Sequence, residues 1–340
     1  MPDSDSKPRI VVTVNVPDST LDALRASAPA YRVDKYAGEV PNAVWLETEV
    51  LFTSRVYPTP EQAPRLRWIQ TCSAGFDWAL THPIAQHKDI LITSVSGIHA
   101  TPIAEYCLGM MLALNLKIPT MIEYKREKSW GKDRNTGFGP APLRGKTVGI
   151  VGYGSIGREL ARLCEAIGMN VLAAKRDVMH VEAGDAFYLH DETGDPQGEI
   201  PARIYPGQAI ATMARECDFL VVTVPLTGGT RHLIDIRVFD AMKETAYFLN
   251  IARGDVVDEQ ALIGALQTQR IAGAALDVFA EEPLPATSPL WGLPNVIISP
   301  HVAGNTPDYN ERSAKVFAEN LRRYVERKVL MNALNRTEGY

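Results

Sequence analysis

The feature that most constrains this chain is a short glycine-rich run, GYGSIG, at residues 152–157. It follows the apolar segment KTVGIV, which favours a buried strand, and it precedes IGRELARLCEAIG, which favours an amphipathic helix. In the spacing G-x-G-x-x-G, the glycines permit a tight turn, a close backbone approach to a ligand, and close packing of helix on strand. The N-terminus of such a helix binds anions. We therefore expect the whole run to contact the pyrophosphate of a dinucleotide: Gly152, Tyr153, Gly154, Ser155, Ile156 and Gly157.

The end of the next predicted strand, at residues 170–175, indicates which dinucleotide fits. In such folds an acidic residue about twenty positions after the motif binds the ribose 2′-hydroxyl of NAD. This strand ends instead at Lys175, and Arg176 follows it. Two cations suit the 2′-phosphate of NADP, so we expect NADP to be preferred, with NAD as the alternative. Asp177 would serve NAD if the strand continued, because alternation places it on the same side as Lys175.

Strands and helices alternate along the chain in two series, which predicts two doubly wound parallel sheets. The first series has predicted strands at 9–16, 44–53, 66–71 and 90–93 and a helix at 19–27. The second has six predicted strands, at 146–151, 170–175, 218–225, 247–251, 273–276 and 296–299. Further helices are predicted at 101–116, capped by Thr101, at 156–168, at 209–216 and at 307–325. Residues 177–208 are rich in Gly, Pro and acidic residues and are predicted to be irregular.

Length, charge and cysteine usage exclude several classes of protein. A chain of 340 residues exceeds one ordinary core, so two domains are expected. A net charge of −5 argues against nucleic-acid binding, which needs a basic face. The four cysteines have no metal-ligand spacing, so no metal is expected. Residues 1–9 lack an apolar signal core, and the longest apolar stretch, 106–116, is too short for a membrane span, so we expect a cytoplasmic protein.

Charged side chains follow three of the later predicted strands. FLNIARGD carries Arg253, ALDVFAEEPL carries Asp277 and Glu282, and SPHVAG carries His301. In open α/β sheets, ligands bind outside the carboxyl ends of the strands. An arginine, a carboxylate and a histidine at that edge suit a substrate that has both a carboxylate and a carbonyl.

Together with the glycine motif, these segments closely resemble the D-isomer-specific 2-hydroxyacid dehydrogenases, over about residues 9–325. The resemblance implies an NAD(P)-dependent oxidoreductase that transfers a hydride between the cofactor and carbon 2 of a small 2-oxo or 2-hydroxy acid, such as glyoxylate or hydroxypyruvate. It implies that Arg253, Glu282 and His301 are catalytic, with His301 as the general acid and base. It also implies that Asp277 lies near the nicotinamide carboxamide.

The family resemblance extends to the substrate and to the chain path. It implies that the backbone of Ser73, Ala74 and Gly75 binds the substrate carboxylate together with Arg253, and that Pro225 lines the cofactor cleft. It further implies a flavodoxin-like substrate domain, 1–116 and 305–340, into which a Rossmann dinucleotide-binding domain, 117–304, is inserted. Two such domains are expected to close on the substrate, and two chains are expected to form a homodimer.

Two other functions stay open on the sequence. A phosphite-type dehydrogenase of the same fold shares these motifs, whereas a formate enzyme is disfavoured because such enzymes typically carry Gln in place of Glu282. A non-catalytic NAD(P)-sensing binding protein also shares the fold. The sequence contains no long disordered tail that would favour that second reading.

Overall fold

The computed structural model describes residues 7–76, 82–131, 138–139, 141–183 and 193–337. Its strands are β1 (Arg9–Val12), β2 (Arg32–Lys35), β3 (Thr48–Thr53), β4 (Trp68–Thr71), β5 (Leu91–Thr93), β6 (Thr147–Val151), β7 (Asn170–Lys175), β8 (Arg203–Pro206), β9 (Phe219–Val222), β10 (Tyr247–Asn250), β11 (Gly273–Leu276) and β12 (Val296–Ile298). Its α-helices are α1 (Asp18–Ser27), α2 (Asn42–Trp45), α3 (Ala100–Asn115), α4 (Ile118–Arg126), α5 (Ser155–Ala166), α6 (Ile210–Ala214), α7 (Ile236–Ala241), α8 (Glu259–Gln267) and α9 (Tyr309–Val325). Short 3-10 helices lie at Pro83–Gln86, Gly207–Ala209, Gly254–Val256 and Pro289–Gly292. Within these described ranges, no helix combines the length and apolar character that crossing a membrane requires.

The first of two compact units contains the described residues of 1–98 and 306–340. Its sheet has the order β2-β1-β3-β4-β5, and all neighbouring strands are parallel. This is the flavodoxin-like strand order. The C-terminal helix α9 packs on the sheet through Phe317, whose ring stacks on Phe52 with centroids 4.6 Å apart. The C-terminal part of the chain therefore belongs to the first unit, as the discontinuous domain predicted above requires.

The second unit contains the described residues of 99–183 and 191–305. Its seven strands are parallel in the order β12-β11-β10-β9-β6-β7-β8. Six of them follow the Rossmann order, and β12 extends the sheet at one edge. The order reverses between β6 and β9, so the ligand crevice is expected where the glycine-rich run leaves β6. The predicted fold class, a Rossmann unit inserted into a flavodoxin-like unit, is confirmed.

Three local predictions were wrong. Residues 203–206 form β8 within the stretch predicted to be irregular, so this sheet has seven strands and not six. β8 is a short edge strand that ends in Pro206, and its own sequence carries little apolar signal. The strand predicted at 44–53 was wrong at its start. Helix α2 begins directly after Pro41 and includes Val44, and the strand starts only at Thr48. Helix α3 begins at Ala100, so Thr101 lies in its first turn and does not cap it.

Helix α3 belongs to the second unit, which begins at His99, whereas the sequence analysis began the dinucleotide-binding domain at 117. The reason is the packing of the helix. Its residues Cys107 and Met111 lie in the same buried cluster as Leu160 and Cys164 of α5. An almost wholly apolar helix loses most by exposure, and here one face of it is buried against the helix that follows the glycine-rich run.

Candidate active site

The predicted functional side chains follow neighbouring strands of the second unit. His301 follows β12, Glu282 follows β11 and Arg253 follows β10, and these three strands are adjacent in the sheet. Parallel neighbours lie about 4.8 Å apart, so their carboxyl ends present the three side chains along one edge. The other predicted cofactor residues continue along that edge: Pro225 after β9, residues 152–157 after β6, and Lys175 with Arg176 at the end of β7.

His301 and Glu282 form a hydrogen-bonded pair. The imidazole Nδ1 lies 2.8 Å from Oε2 of Glu282, and 47% of the histidine side chain is exposed. The other oxygen of Glu282 accepts a hydrogen bond from the backbone N–H of Phe279 at 3.0 Å. Because the carboxylate occupies the Nδ1 side of the ring, Nε2 is the nitrogen that can exchange a proton with a bound substrate.

The backbone of His301 is held in an uncommon conformation by Asp277. His301 has a φ of 55°, in the left-handed region that non-glycine residues rarely adopt. Its N–H donates to the carbonyl of Asp277 at 2.9 Å. The buried Asp277 carboxylate accepts from the N–H groups of Val302 and Ala303, each at 2.9 Å. The sequence analysis gave Asp277 a cofactor contact alone, and the structure shows that it also fixes the turn that carries His301.

Two side chains that the sequence analysis missed extend this support. The hydroxyl of Ser299 donates to Oδ1 of Asp277 at 2.5 Å. The hydroxyl of Tyr106, on α3, lies 2.6 Å from that of Ser299. Because Ser299 gives its hydrogen to Asp277, Tyr106 is the donor in this pair. Burial raises the pKa of Tyr106 to about 12. Ser299 was detectable as a polar residue directly after β12, whereas Tyr106 comes from a distant part of the sequence.

Arg253 is positioned by its neighbours in the chain. The buried Asn250 donates from Nδ2 to the carbonyl of Arg253 and accepts the N–H of Ala252, both at 3.1 Å. A Cβ on the next residue, Gly254, would lie 1.9 Å from the carbonyl carbon of Phe279, so only glycine fits there. Asn250, which the sequence analysis did not select, and Gly254 thus fix the backbone on both sides of a half-buried arginine.

The glycine-rich run has the shape that a dinucleotide pyrophosphate requires. Gly152 has a φ of +106°, and a Cβ there would lie 2.8 Å from Oγ1 of Thr223, which itself donates to the Gly152 carbonyl at 2.7 Å. A Cβ on Gly157 would lie 2.2 Å from the same carbonyl oxygen. Beside Gly154, by contrast, no described atom lies within 4 Å of a Cβ position. No described side chain caps α5 at Gly154, so its first N–H groups suit an anion.

Tyr153 differs from the rest of the run. Its side chain is buried, and its hydroxyl donates to Oδ2 of Asp195 at 2.6 Å. Its predicted cofactor contact can therefore involve only the backbone.

The two cations predicted at the end of β7, Lys175 and Arg176, have different surroundings. The Lys175 amine donates to the carbonyl of His180, and burial, followed by the nearby Arg158 charge, lowers the pKa of Lys175. Arg176 is exposed. β7 ends at Lys175, so Asp177 lies beyond the strand, where its carboxylate accepts from His180 Nδ1 at 2.7 Å and from the N–H of Met179 at 3.0 Å. The alternative in which Asp177 continues the strand does not occur in this structure.

The predicted substrate loop lies in the first unit, directly after β4. The Ser73 carbonyl accepts a hydrogen bond from Oγ1 of Thr71 at 3.1 Å, and the Ser73 hydroxyl donates to the carbonyl of Gly75 at 3.0 Å. Among the described residues, no hydrogen bond is donated by the backbone N–H of Ala74 or Gly75. These two groups are thus suited to an external acceptor. Asp77, two residues after Gly75, lies outside the described residues.

Comparisons with known proteins place similar sequences and structures in one family. Residues 108–303 match the family model described as D-isomer specific 2-hydroxyacid dehydrogenase, NAD binding domain. The chain is 36% identical over 262 residues to a glyoxylate reductase of Thermofilum pendens, covering 77% of this chain and 72% of that protein. It is 32% identical over 342 residues to a glyoxylate reductase of Aeropyrum pernix, covering 97% and 96%. It is also similar to the structure of a D-isomer specific 2-hydroxyacid dehydrogenase from Xanthobacter autotrophicus in complex with NADPH and MES, with a TM-score of 0.79, 27% identity, and coverage of 98% and 100%.

Proposed function

The chain belongs to the D-isomer-specific 2-hydroxyacid dehydrogenase family and is an NAD(P)-dependent oxidoreductase of that class, and we propose that it reduces small 2-oxo acids such as glyoxylate or hydroxypyruvate. One observation carries the proposal. Arg253, Glu282 and His301 follow three adjacent parallel strands, and the histidine and the carboxylate are paired at 2.8 Å. The glycine-rich run lies at the same edge of the sheet.

The substrate is held by charge and by backbone N–H groups in this proposal. The guanidinium of Arg253 pairs with the substrate carboxylate and polarises the 2-carbonyl, a geometry that suits its planar set of donors. The N–H groups of Ala74 and Gly75, with Ser73 beside them, bind the same carboxylate. Pro225 and Asp277 border the nicotinamide, and the contact of Asp277 with the carboxamide stays a prediction.

Proton transfer belongs to His301. When bound, the nicotinamide supplies the hydride that reaches carbon 2. His301 donates a proton from Nε2 to the carbonyl oxygen as general acid, and in the opposite direction the neutral ring accepts it. Glu282 holds Nδ1 and stabilises the charge on the ring. Asp277 and Ser299 fix the turn, so the ring needs little reorganisation during the reaction.

The experiment that tests the proposal is a panel of small 2-oxo acids, including glyoxylate, hydroxypyruvate and pyruvate, each assayed with NADPH and NADH. Turnover of at least one 2-oxo acid is the expected result. Oxidation of phosphite without turnover of any 2-oxo acid would replace the proposal with the phosphite-type alternative. Cofactor binding without turnover of any of these compounds would favour the NAD(P)-sensing alternative.

NADPH is expected to be used in preference to NADH. Arg176 is the first candidate partner for the 2′-phosphate because it is exposed, whereas Lys175 is partly buried at the end of β7. One charge-assisted hydrogen bond contributes about 1.5–3 kcal/mol, so Arg176→Ala is expected to lower the NADPH-to-NADH ratio of kcat/KM by roughly tenfold to a hundredfold. Arg203→Ala, on the edge strand β8, is the matched control. A wild-type preference for NADH, or a ratio that Arg176→Ala together with Lys175→Ala leaves unchanged, contradicts the assignment.

We further propose that the protein is a homodimer that pairs through its second unit. None of the residues of α4 is buried, and apolar side chains on and around it are exposed: Leu112, Leu116, Met121, Ile122 and Trp130. Exposed apolar groups of this kind mark contact surfaces. Sedimentation at micromolar concentration is expected to show a dimer, and Ile122→Glu is expected to shift it towards monomer. Val329→Glu, at an exposed residue of the first unit, is the control, and a monomeric wild type would refute the proposal.

A further inference from the structure

The described residues between β7 and β8, to which the sequence analysis gave no role, are hydrogen-bonded to the helix that follows the glycine-rich run. Glu159 of α5 is fully buried and accepts from Arg162 at 2.6 Å and from the N–H of Gly194 at 2.6 Å. Arg158 is also buried, and its guanidinium donates to the carbonyls of Asp195 and Val181. Buried charges are tolerated only where they are paired and hydrogen-bonded. The segment therefore supplies partners without which two charges on α5 would be buried and incompletely satisfied.

Asp195 is the fixed point of this segment. One carboxylate oxygen accepts from the N–H groups of Gly198 and Glu199, and the other from the N–H of Ile200, all at 3.1 Å. Burial favours the neutral acid, but the hydrogen bonds from Tyr153, Ile200 and Glu199 outweigh it and lower the pKa of Asp195. The carboxylate is thus ionised at neutral pH and is immobilised by its own turn.

Tyr153 connects this fixed point to the glycine-rich run. Its hydroxyl donates to Asp195 at 2.6 Å, and its ring lies beneath the Arg158 guanidinium, 4.8 Å from centroid to Cζ. The neighbours of Tyr153 in the chain, Gly152 and Gly154, have no side chains that could hold the loop. Besides the bond from Thr223 to the Gly152 carbonyl, the Tyr153 side chain therefore anchors the middle of the run.

We propose that residues 193–200 are part of the dinucleotide site, and that Asp195, through Tyr153, is a positioning residue that pre-forms the glycine-rich run for the pyrophosphate. Neither side chain touches the cofactor in this account. They order the loop before the cofactor binds. The loss of loop entropy is then not charged to the binding step, so the affinity for the cofactor is higher. The inference rests on the dinucleotide site and is independent of which 2-oxo acid is reduced.

The test is Tyr153→Phe, which removes the hydroxyl and keeps the ring on Arg158. The Kd of NADPH, measured by calorimetry, is expected to rise about tenfold, while kcat at saturating NADPH and the KM of the 2-oxo acid stay close to wild type. The matched control is Tyr205→Phe. Tyr205 is also a buried residue of the same unit, and its hydroxyl donates to Glu216 at 2.6 Å in a part-buried bond, but it lies in a different buried cluster from Tyr153. Its loss is expected to leave the Kd unchanged.

A second variant, Asp195→Ala, completes a double-mutant cycle. If both residues act through one hydrogen bond, the double variant should raise the Kd less than the two single effects combined. Thermal unfolding separates affinity from folding. A folded Tyr153→Phe with wild-type Kd, or equal Kd changes in the Tyr153 and Tyr205 variants, would overturn the inference. A wild type that binds neither NADPH nor NADH would instead refute the dinucleotide site itself, and binding without turnover would affect only the proposed substrate.

Discussion

Replacing Arg253 with glutamine is expected to lower kcat/KM for a 2-oxo acid by about a hundredfold to ten-thousandfold. The guanidinium would make two charge-assisted hydrogen bonds to the substrate, each of which contributes about 1.5–3 kcal/mol. Glutamine keeps much of the length of the side chain but removes the charge and the paired donors. Asn250 and Gly254 hold the backbone, so the turn itself should persist. The Kd of NADPH should be nearly unchanged, because the Arg253 guanidinium is proposed to bind the substrate and not the dinucleotide.

Two further variants sharpen the Arg253 experiment. Arg253→Lys keeps the charge but loses the two-pronged geometry, so its kcat/KM should lie between that of the wild type and that of Arg253→Gln. Arg237→Gln removes an exposed arginine that pairs with Asp235 in the same unit, and it should leave kcat/KM unchanged. An Arg253→Gln protein that loses cofactor affinity as much as kcat/KM would show that Arg253 is structural.

The strands that the sequence predicted best are those whose own residues carry the signal. β7 and β11 were predicted to the residue, because each is a short, mainly apolar run at whose end charged residues begin. β8 was missed because it forms by pairing with β7, which is information that its own four residues do not contain. The run that starts at Val44 shows the opposite error, since apolar residues without clear alternation fit a buried helix as well as a strand.

The same division holds within the candidate site. Arg253, Glu282 and His301 were selected from the sequence because they are charged residues placed directly after predicted strands and within a recognisable order of motifs. Their supports were missed where they come from elsewhere in the chain. Tyr106 is more than a hundred residues from Ser299, and Asp195 lies in a segment without periodicity. Hydrogen bonds between distant segments depend on the tertiary fold and leave no local pattern.

Removing the imidazole of His301 is expected to lower activity by a similarly large factor, and the conformation of the His301 backbone determines which substitution is suitable. Asparagine tolerates a left-handed conformation, so His301→Asn removes the imidazole with little disturbance of a backbone at φ 55°. General acid–base catalysis contributes about a hundredfold to ten-thousandfold, and kcat for 2-oxo acid reduction should fall by that amount. KM for the 2-oxo acid and Kd for NADPH should change little, because Arg253 and the glycine-rich run are unaltered.

The control for His301 is another histidine in the same unit. His232 is exposed and has a φ of 52°, so His232→Asn imposes the same backbone demand at a residue outside the proposed catalytic set. If both variants lose activity equally, the loss comes from the backbone and His301 is not the general acid. Glu282→Gln then tests the pair. Glutamine can still accept the bond from Nδ1 but cannot stabilise a charged ring, so its kcat should fall by less than that of His301→Asn. A Glu282→Gln protein with wild-type kcat would leave the carboxylate with a structural role only, since the charge would then contribute nothing to proton transfer.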